Sequence, residues 1–295
     1  MSQGIGIRFT MSGIRVLGLE RKDKGFKITG IAAGSPGETE HDLTVEDSVI
    51  ACGLCPGDFL SSFMIREDEM DGMEMQKQLR WEIERKMISD LTEYSVDLAV
   101  TDSGGFIFAS RKKLTGEMQR QLGNTVTDVE PVALLNGCES VGETGEDTIM
   151  LISVEAEGIS SVLFHEGSLR AMESFAIHED ELVKILPCLS IDAMKQVDSE
   201  TAERLSGYVI ESINRLTSSD GEESKINPER IIIAGGGVYI GELTSIIEQK
   251  SGIFTTISNP FTELPDDIKE SHPDLTEMGA AFTTCYGLAV RALEE

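Results

Sequence analysis

The sequence contains few of the residues that build covalent or metal-bound frameworks. Its 295 residues include five cysteines, four histidines and one tryptophan. An odd number of widely spaced cysteines does not predict a disulfide framework and suits a reducing compartment. Cys52 and Cys55 form a Cys-x-x-Cys pair, but no second pair or histidine cluster could complete a zinc site with them. We therefore expect free thiols and no bound metal.

Basic residues are scarce relative to acidic ones. The chain has 25 Lys and Arg against 52 Asp and Glu, which gives a net charge of −27. A field of this sign repels phosphate backbones and anionic lipid surfaces, so we expect neither nucleic acid nor direct membrane docking. The charge favours a basic peptide partner, although acidity that serves solubility alone would give the same composition.

Long apolar runs are absent as well. The region from Met1 to Leu19 lacks a basic segment followed by a continuous apolar stretch, and no window approaches the length of a membrane span. We therefore expect a cytoplasmic chain that is neither exported nor inserted. A hydrophobic share of 40% over this length predicts a globular protein with one two-lobed domain or two domains, and the mixture of strand and helix patterns described below makes its class α/β.

The motifs of common catalytic sites are also missing, including the P-loop, the Rossmann fingerprint and the nucleophile elbow. Cys52 and Cys55 could serve redox chemistry, but Pro56-Gly57 follows them and no thioredoxin pattern surrounds them, so we favour two structural thiols. Gly235-Gly236-Gly237, after an apolar run, could let the backbone approach a nucleotide or could form a plain turn. The residues alone predict no catalytic site.

Two regions show the alternation of apolar and polar residues that is typical of β-hairpins. Gly4 to Leu19 alternates around a polar break at Thr10 to Gly13. The same theme recurs between Thr148 and Ile177, where Glu166-Gly167 forms a turn. Two similar hairpins predict two related lobes.

Between these regions the pattern becomes helical from Glu67 to Asp90, with apolar residues at spacings of four. We interpret Trp81 on this helix as packed in the core or against the helix flank, with an exposed partner anchor as the alternative. Further predicted elements are strands at Phe26–Ala32, Ser48–Cys52, Tyr94–Val100, Gly105–Ser110 and Arg230–Ala234, and helices at Lys113–Leu122, Ser199–Leu216 and Thr276–Leu293.

Several stretches, in order along the chain, resemble PilM-type type IV pilus assembly proteins, which are FtsA-related members of the actin-like ATPase superfamily. The matching stretches are Leu79–Met87 continuing through Leu91–Asp97, then Asp128–Leu134, Arg230–Gly237 and Asn259–Phe261. The resemblance implies an actin-like (ribonuclease H-like) fold of two lobes with a small α/β subdomain inserted in the first lobe. It places the first lobe at 1–53 and 122–147, the insert at 54–121 and the second lobe at 148–295, with the C-terminal helix packing back on the first lobe.

The phosphate-binding hairpins of this family depart from its pattern here. In the first hairpin Arg8 replaces an acidic residue, Thr10 a glycine and Arg15 a lysine. In the second, Ser153 replaces an acid, and Glu155 brings a carboxylate to where the resemblance implies phosphate. Vestigial nucleotide-binding positions would be Ser12, Arg15, Gly235, Gly236 and Gly237. We expect no cofactor and no ATP hydrolysis, with metal-free phosphate binding by Arg8 and Arg15 left open.

The resemblance implies a cytoplasmic adaptor that is peripheral to the inner membrane, not an enzyme. Its expected partners are the N-terminal tail of a PilN-like bitopic membrane protein and other platform proteins of a pilus, type II secretion or competence system. The tail is expected in a groove between the first lobe and the insert, with Arg80 and Trp81 as candidate partner-binding residues. The alternatives are an active actin-like ATPase or filament former and, from Cys52 and Cys55, a redox protein.

Overall fold

The computed structural model describes residues 3–10, 13–23, 25–34, 48–65, 70–100, 104–123, 125–145, 147–177, 197–218, 226–262 and 264–295. Ser12, named above, and Cys188, one of the five cysteines, lie outside these ranges. Residues 35–47, between the predicted strands Phe26–Ala32 and Ser48–Cys52, also lie outside them. No helix in the described ranges is long and apolar enough to cross a membrane. Within the same ranges, no group of three His, Cys, Asp or Glu side chains could hold a metal ion.

The described chain forms strands and helices in alternating blocks. The strands are β1 (Gln3–Thr10), β2 (Gly13–Arg21), β3 (Phe26–Gly34), β4 (Ser48–Leu54), β5 (Phe59–Ile65), β6 (Tyr94–Val100), β7 (Gly104–Arg111), β8 (Thr125–Val129), β9 (Ile149–Glu155), β10 (Gly158–His165), β11 (Ser168–Ala176), β12 (Arg230–Ala234) and β13 (Phe254–Ile257). The helices are α1 (Gly72–Lys86), α2 (Lys112–Leu122), α3 (Glu130–Ser140), α4 (Ser199–Ser218), α5 (Leu243–Ser251), α6 (Asp266–Ser271), α7 (Pro273–Thr276) and α8 (Thr283–Leu293).

Two five-stranded sheets share one topology. The first has the order β3-β2-β1-β4-β8 and the second the order β11-β10-β9-β12-β13. In each sheet three consecutive strands pair antiparallel and the last two join in parallel. The predicted pair of related hairpins is therefore confirmed, and each hairpin is the start of one sheet. We call the units built on these sheets the first lobe and the second lobe.

A smaller three-stranded sheet with the order β5-β7-β6 lies between β4 and β8 in the chain. Its pairs are antiparallel, and α1 covers one face through Met75, Leu79 and Ile83, which are fully buried. The opposite face carries Phe59 and Phe108, which contact the core of the first lobe. We call this sheet with α1 and α2 the small module.

Helix α8 packs closely on the first lobe, against α3 and strands β1, β2 and β4. The approach depends on glycine, because a Cβ on Gly287 would meet the carbonyl oxygen of Ala133. Gly6 on β1 likewise faces the backbone of Cys285 in α8. Small residues at these positions let the helix backbone lie directly on its neighbours.

The structure differs from the predictions at one strand and in the bounds of two helices. Strand β5 was not predicted, because Phe59–Ile65 places two serines in succession and loses the apolar–polar alternation. Helix α1 is shorter than predicted: the side chain of Asp71 caps its start at Glu74 N, and the chain becomes extended at Met87. The C-terminal helix begins at Thr283, because Gly279–Phe282 forms a separate 3-10 turn.

Candidate functional site

A buried network of charges joins the two lobes at the turns of the paired hairpins. Arg8 and Arg15 project from β1 and β2, and each is only 1% exposed. Arg8 Nη2 donates to Glu130 Oε1 at 2.8 Å, and its Nη1 forms an ion pair with Glu155 Oε1. Arg15 Nη1 donates to the same oxygen of Glu155 at 2.6 Å and to the carbonyl of Ala281 at 3.1 Å. Because Glu155 lies on β9, both contacts cross from the first lobe to the second.

The network sets the protonation of its own carboxyls. Burial would raise the pKa of Glu155, but Arg15 and Arg8 outweigh burial and lower it below its usual value. Burial raises the pKa of Glu130 to about 7, although Arg8 and a hydrogen bond from Ser153 Oγ oppose the rise. Glu155 is therefore the ionised centre that both arginines share.

The glycine triplet supports this network from the second lobe. Gly235 has φ of 88° and donates its N–H to the carbonyl of Ala280 at 2.8 Å. The N–H of Gly236 donates to the carboxylate of Glu155. A Cβ on Gly235 or Gly237 would meet Val154, so these positions need glycine for close packing as well as for conformation.

The structure thus brings together four of the predicted residues, Arg15, Gly235, Gly236 and Gly237, with Arg8, Ser153 and Glu155, whereas Ser12 lies outside the described residues. The carboxylates of the chain itself neutralise the two arginines. Sequence reasoning missed Glu130, although a glutamate followed by Pro131-Val132-Ala133-Leu134 is a signal of a buried charge that needs a partner.

The candidate partner residues on α1 lie on the outside of the small module. Trp81 is 57% exposed, so packing in the core is wrong, whereas the contact with the helix flank that we gave beside it is present. The apolar face of α1 is already formed by residues at spacings of four, which leaves Trp81 on the outer side, where the guanidinium of Arg85 lies 4.6 Å from the ring centre. Arg80 beside it is also exposed.

A groove of about 450 Å³ lies where the small module meets the first lobe. Its apolar lining includes Leu54, Phe59, Phe108, Val129 and Val132. Its charged lining consists of Asp97, Asp128, Arg291 and Glu294. One wall is β6, an edge strand of its sheet, so the groove offers apolar surface, carboxylates and backbone groups together. Trp81 and Arg80 are on the other side of the small sheet and do not line it.

Cys52 and Cys55 are free and buried, as are Cys138 and Cys285. Burial raises the pKa of Cys52 to about 12 and also raises that of Cys55. Such thiols hold little thiolate at neutral pH, which supports the interpretation of Cys52 and Cys55 as structural residues.

No known protein-family model matches the sequence, and no curated protein sequence matches it. Among solved structures, the chain is similar to that of a PilM–PilN type IV pilus biogenesis complex, with 19% identity, 99% of each chain covered and a TM-score of 0.72. It is also similar to a Bacteroides thetaiotaomicron protein with an actin-like ATPase fold and unknown function, with 11% identity, 96% of each chain covered and a TM-score of 0.50. A ROK-family glucokinase from Streptomyces griseus, in complex with glucose and AMPPNP, matches at 12% identity over 99% of this chain and 100% of its own, with a TM-score of 0.50.

These likenesses extend over nearly the whole chain and agree with the two sheets of matching topology. The predicted fold class is therefore confirmed: the chain has the actin-like two-lobed fold.

Proposed function

We propose that this chain is a cytoplasmic adaptor of a type IV pilus or type II secretion assembly platform, peripheral to the inner membrane through its partners. In this function it binds the cytoplasmic N-terminal tail of a PilN-like membrane protein and catalyses no reaction. The similarity in fold to the PilM–PilN complex supports the choice of partner. The domain division that goes with it is a first lobe at 1–53 and 122–147, an insert at 54–121 and a second lobe at 148–295.

The observation that carries the proposal is the groove between the small module and the first lobe. Its volume of about 450 Å³ suits an extended segment of a few residues. Apolar side chains of the tail would lie against Phe59, Phe108 and Val132. The exposed edge of β6 could accept the backbone of the tail as an added strand. The main-chain hydrogen bonds of such a strand give affinity that depends little on the side chains of the tail.

The charge of the chain supports a tail that carries Lys or Arg. A net charge of −27 would speed association with a basic peptide and make binding weaken as salt rises. The three acidic side chains in the groove lining act in the same direction at short range.

The buried network argues against the competing function of an actin-like ATPase or filament former driven by nucleotide. Arg8 and Arg15, the side chains that could hold phosphate, are already paired with Glu130 and Glu155. An entering phosphate would meet the carboxylate of Glu155 and would have to displace it from both arginines. Magnesium-dependent hydrolysis would also require a metal-holding acid, and Arg8 and Ser153 occupy the positions where the resemblance implies acids.

The proposal is tested by titrating the tail peptide of a PilN-like protein from the same genome against the purified chain. The Ser95→Trp variant would fill the groove from β6, where Ser95 is exposed and lines it. The matched variant Trp81→Ala removes the exposed aromatic residue on the opposite side of the module. We expect binding to wild type and Trp81→Ala and at least tenfold weaker binding to Ser95→Trp. Loss of binding in Trp81→Ala alone would move the site to α1, and no binding by wild type at low salt would remove the proposed function.

A further inference from the structure

Asp128 is an unusual residue in the wall of the groove. It is the last residue but one of β8, and its Oδ1 accepts the N–H of Val129 at 2.8 Å. The other oxygen, Oδ2, is shielded from solvent and has no hydrogen-bond partner within the described residues. A shielded carboxylate oxygen without a donor is costly to the fold, so this position calls for an explanation.

The surroundings of Asp128 do not supply a donor. Asp97 on β6 and Glu294 after α8 line the same groove, and both repel a second negative charge. The positively charged residue in the groove lining, Arg291, forms an ion pair with Glu295, with 2.6 Å between Nη2 and Oε1. Burial, with Asp97 and Glu294 adding to it, raises the pKa of Asp128 to about 6, although the Val129 N–H and Arg291 oppose the rise. Three carboxylates therefore face one groove with little positive charge between them.

We infer that Asp128, Asp97 and Glu294 form a subsite for a cationic group of the bound tail. This rests on the proposed function and names the chemistry that the tail must carry: an ammonium or guanidinium group next to apolar residues. The cation would lie in the groove among these three carboxylates and offset the charge of Asp128, and the apolar lining would hold the neighbouring side chains. The cation could be a Lys or Arg side chain or the N-terminal amine of the tail.

The test isolates the charge of Asp128 from its structural contact. Asp128→Asn keeps an oxygen that can accept the Val129 N–H, but it removes the negative charge. We expect the tail peptide to bind this variant about tenfold or more weakly at pH 7.5. The matched control is Glu211→Gln, which removes one exposed carboxylate from α4 in the second lobe and leaves affinity unchanged.

Two further measurements separate recognition from a structural role. Wild-type affinity should fall as the pH drops through about 6, because a protonated Asp128 cannot pair with a cation, and this fall should be smaller in Asp128→Asn. The melting temperature of Asp128→Asn at pH 7.5 should be higher than that of wild type, because an unpaired shielded charge has been removed. Weaker binding together with a lower melting temperature would assign Asp128 a structural role and overturn the inference.

Peptide variants identify the source of the cation. Replacing Lys or Arg of the tail by norleucine should abolish the difference between wild type and Asp128→Asn if a side chain is bound. Acetylating the N-terminus should do so if the terminal amine is bound. Undiminished binding of the unmodified tail by Asp128→Asn would remove the subsite and leave the groove, whereas no binding by wild type would remove both.

Discussion

Replacing Glu155 by Gln should destabilise the chain more than any exposed charge substitution. Glu155 Oε1 accepts from both buried arginines, and the N–H of Gly236 also donates to this carboxylate. Glutamine keeps the shape and an oxygen that can accept a hydrogen bond, but it removes the charge, so Arg15 would keep only neutral acceptors such as the carbonyl of Ala281. Breaking a buried ion pair by removing one partner typically costs about 3–5 kcal/mol, because the remaining charge is uncompensated. We expect a loss of that size in the free energy of unfolding of Glu155→Gln.

The assay is urea unfolding followed by circular dichroism, since exposed Trp81 would report poorly on the junction of the lobes. The matched control is Glu203→Gln, which removes a surface ion pair of 2.7 Å with Lys250 and should cost less than about 1 kcal/mol. Adding Arg15→Met to Glu155→Gln should restore part of the lost stability, because the unpaired guanidinium is removed with its partner. If Glu155→Gln were as stable as wild type, or if the second substitution only added to the loss, the network would not hold the lobes as described.

Two further predictions concern packing and nucleotide. Gly287→Ala should lower the free energy of unfolding by about 1–3 kcal/mol, because its methyl group would meet the backbone of α3. Gly207→Ala on α4 should raise the free energy of unfolding by about 0.4–1 kcal/mol, because nothing lies within 4 Å of the new Cβ. Equal effects of the two substitutions in urea titrations would refute this account of α8 packing. ATP, with or without magnesium, should leave the melting temperature unchanged and give no phosphate release above background; release that is lost in Arg15→Met or Gly236→Ala would restore the ATPase hypothesis.

Much of the fold could be predicted because its strongest signals are local. The alternation in Gly4–Leu19 and Thr148–Ile177 produces hairpins whose partners are adjacent in the chain. Strand β5 pairs with β7, about 45 residues later, and has no clear alternation of its own, so local reasoning did not find it. The 3-10 turn at Gly279–Phe282 depends on contacts with Gly235 and Arg15 from distant parts of the chain.

The site was less accessible to sequence reasoning than the fold. Arg8 and Glu130 are 122 residues apart, and Arg15 and Glu155 are 140 residues apart, so no spacing rule could pair them. Departure from the family pattern identified Arg8, Arg15 and Glu155 as unusual but did not reveal that they neutralise one another. Asp128 was noted only as part of a resembling stretch, because the groove that it lines is formed by segments from distant parts of the chain.

The most direct test of the adaptor function is a hydrogen-exchange footprint of the tail peptide on the full chain. If the tail lies in the groove and adds to the edge of β6, amides in Ser95–Val100 should exchange more slowly in the complex. The start of α3 around Val132 should be protected with them, while α1 around Trp81 should remain unchanged. Protection confined to α1, or to the hairpin turns that carry Arg8 and Glu155, would contradict the proposed site.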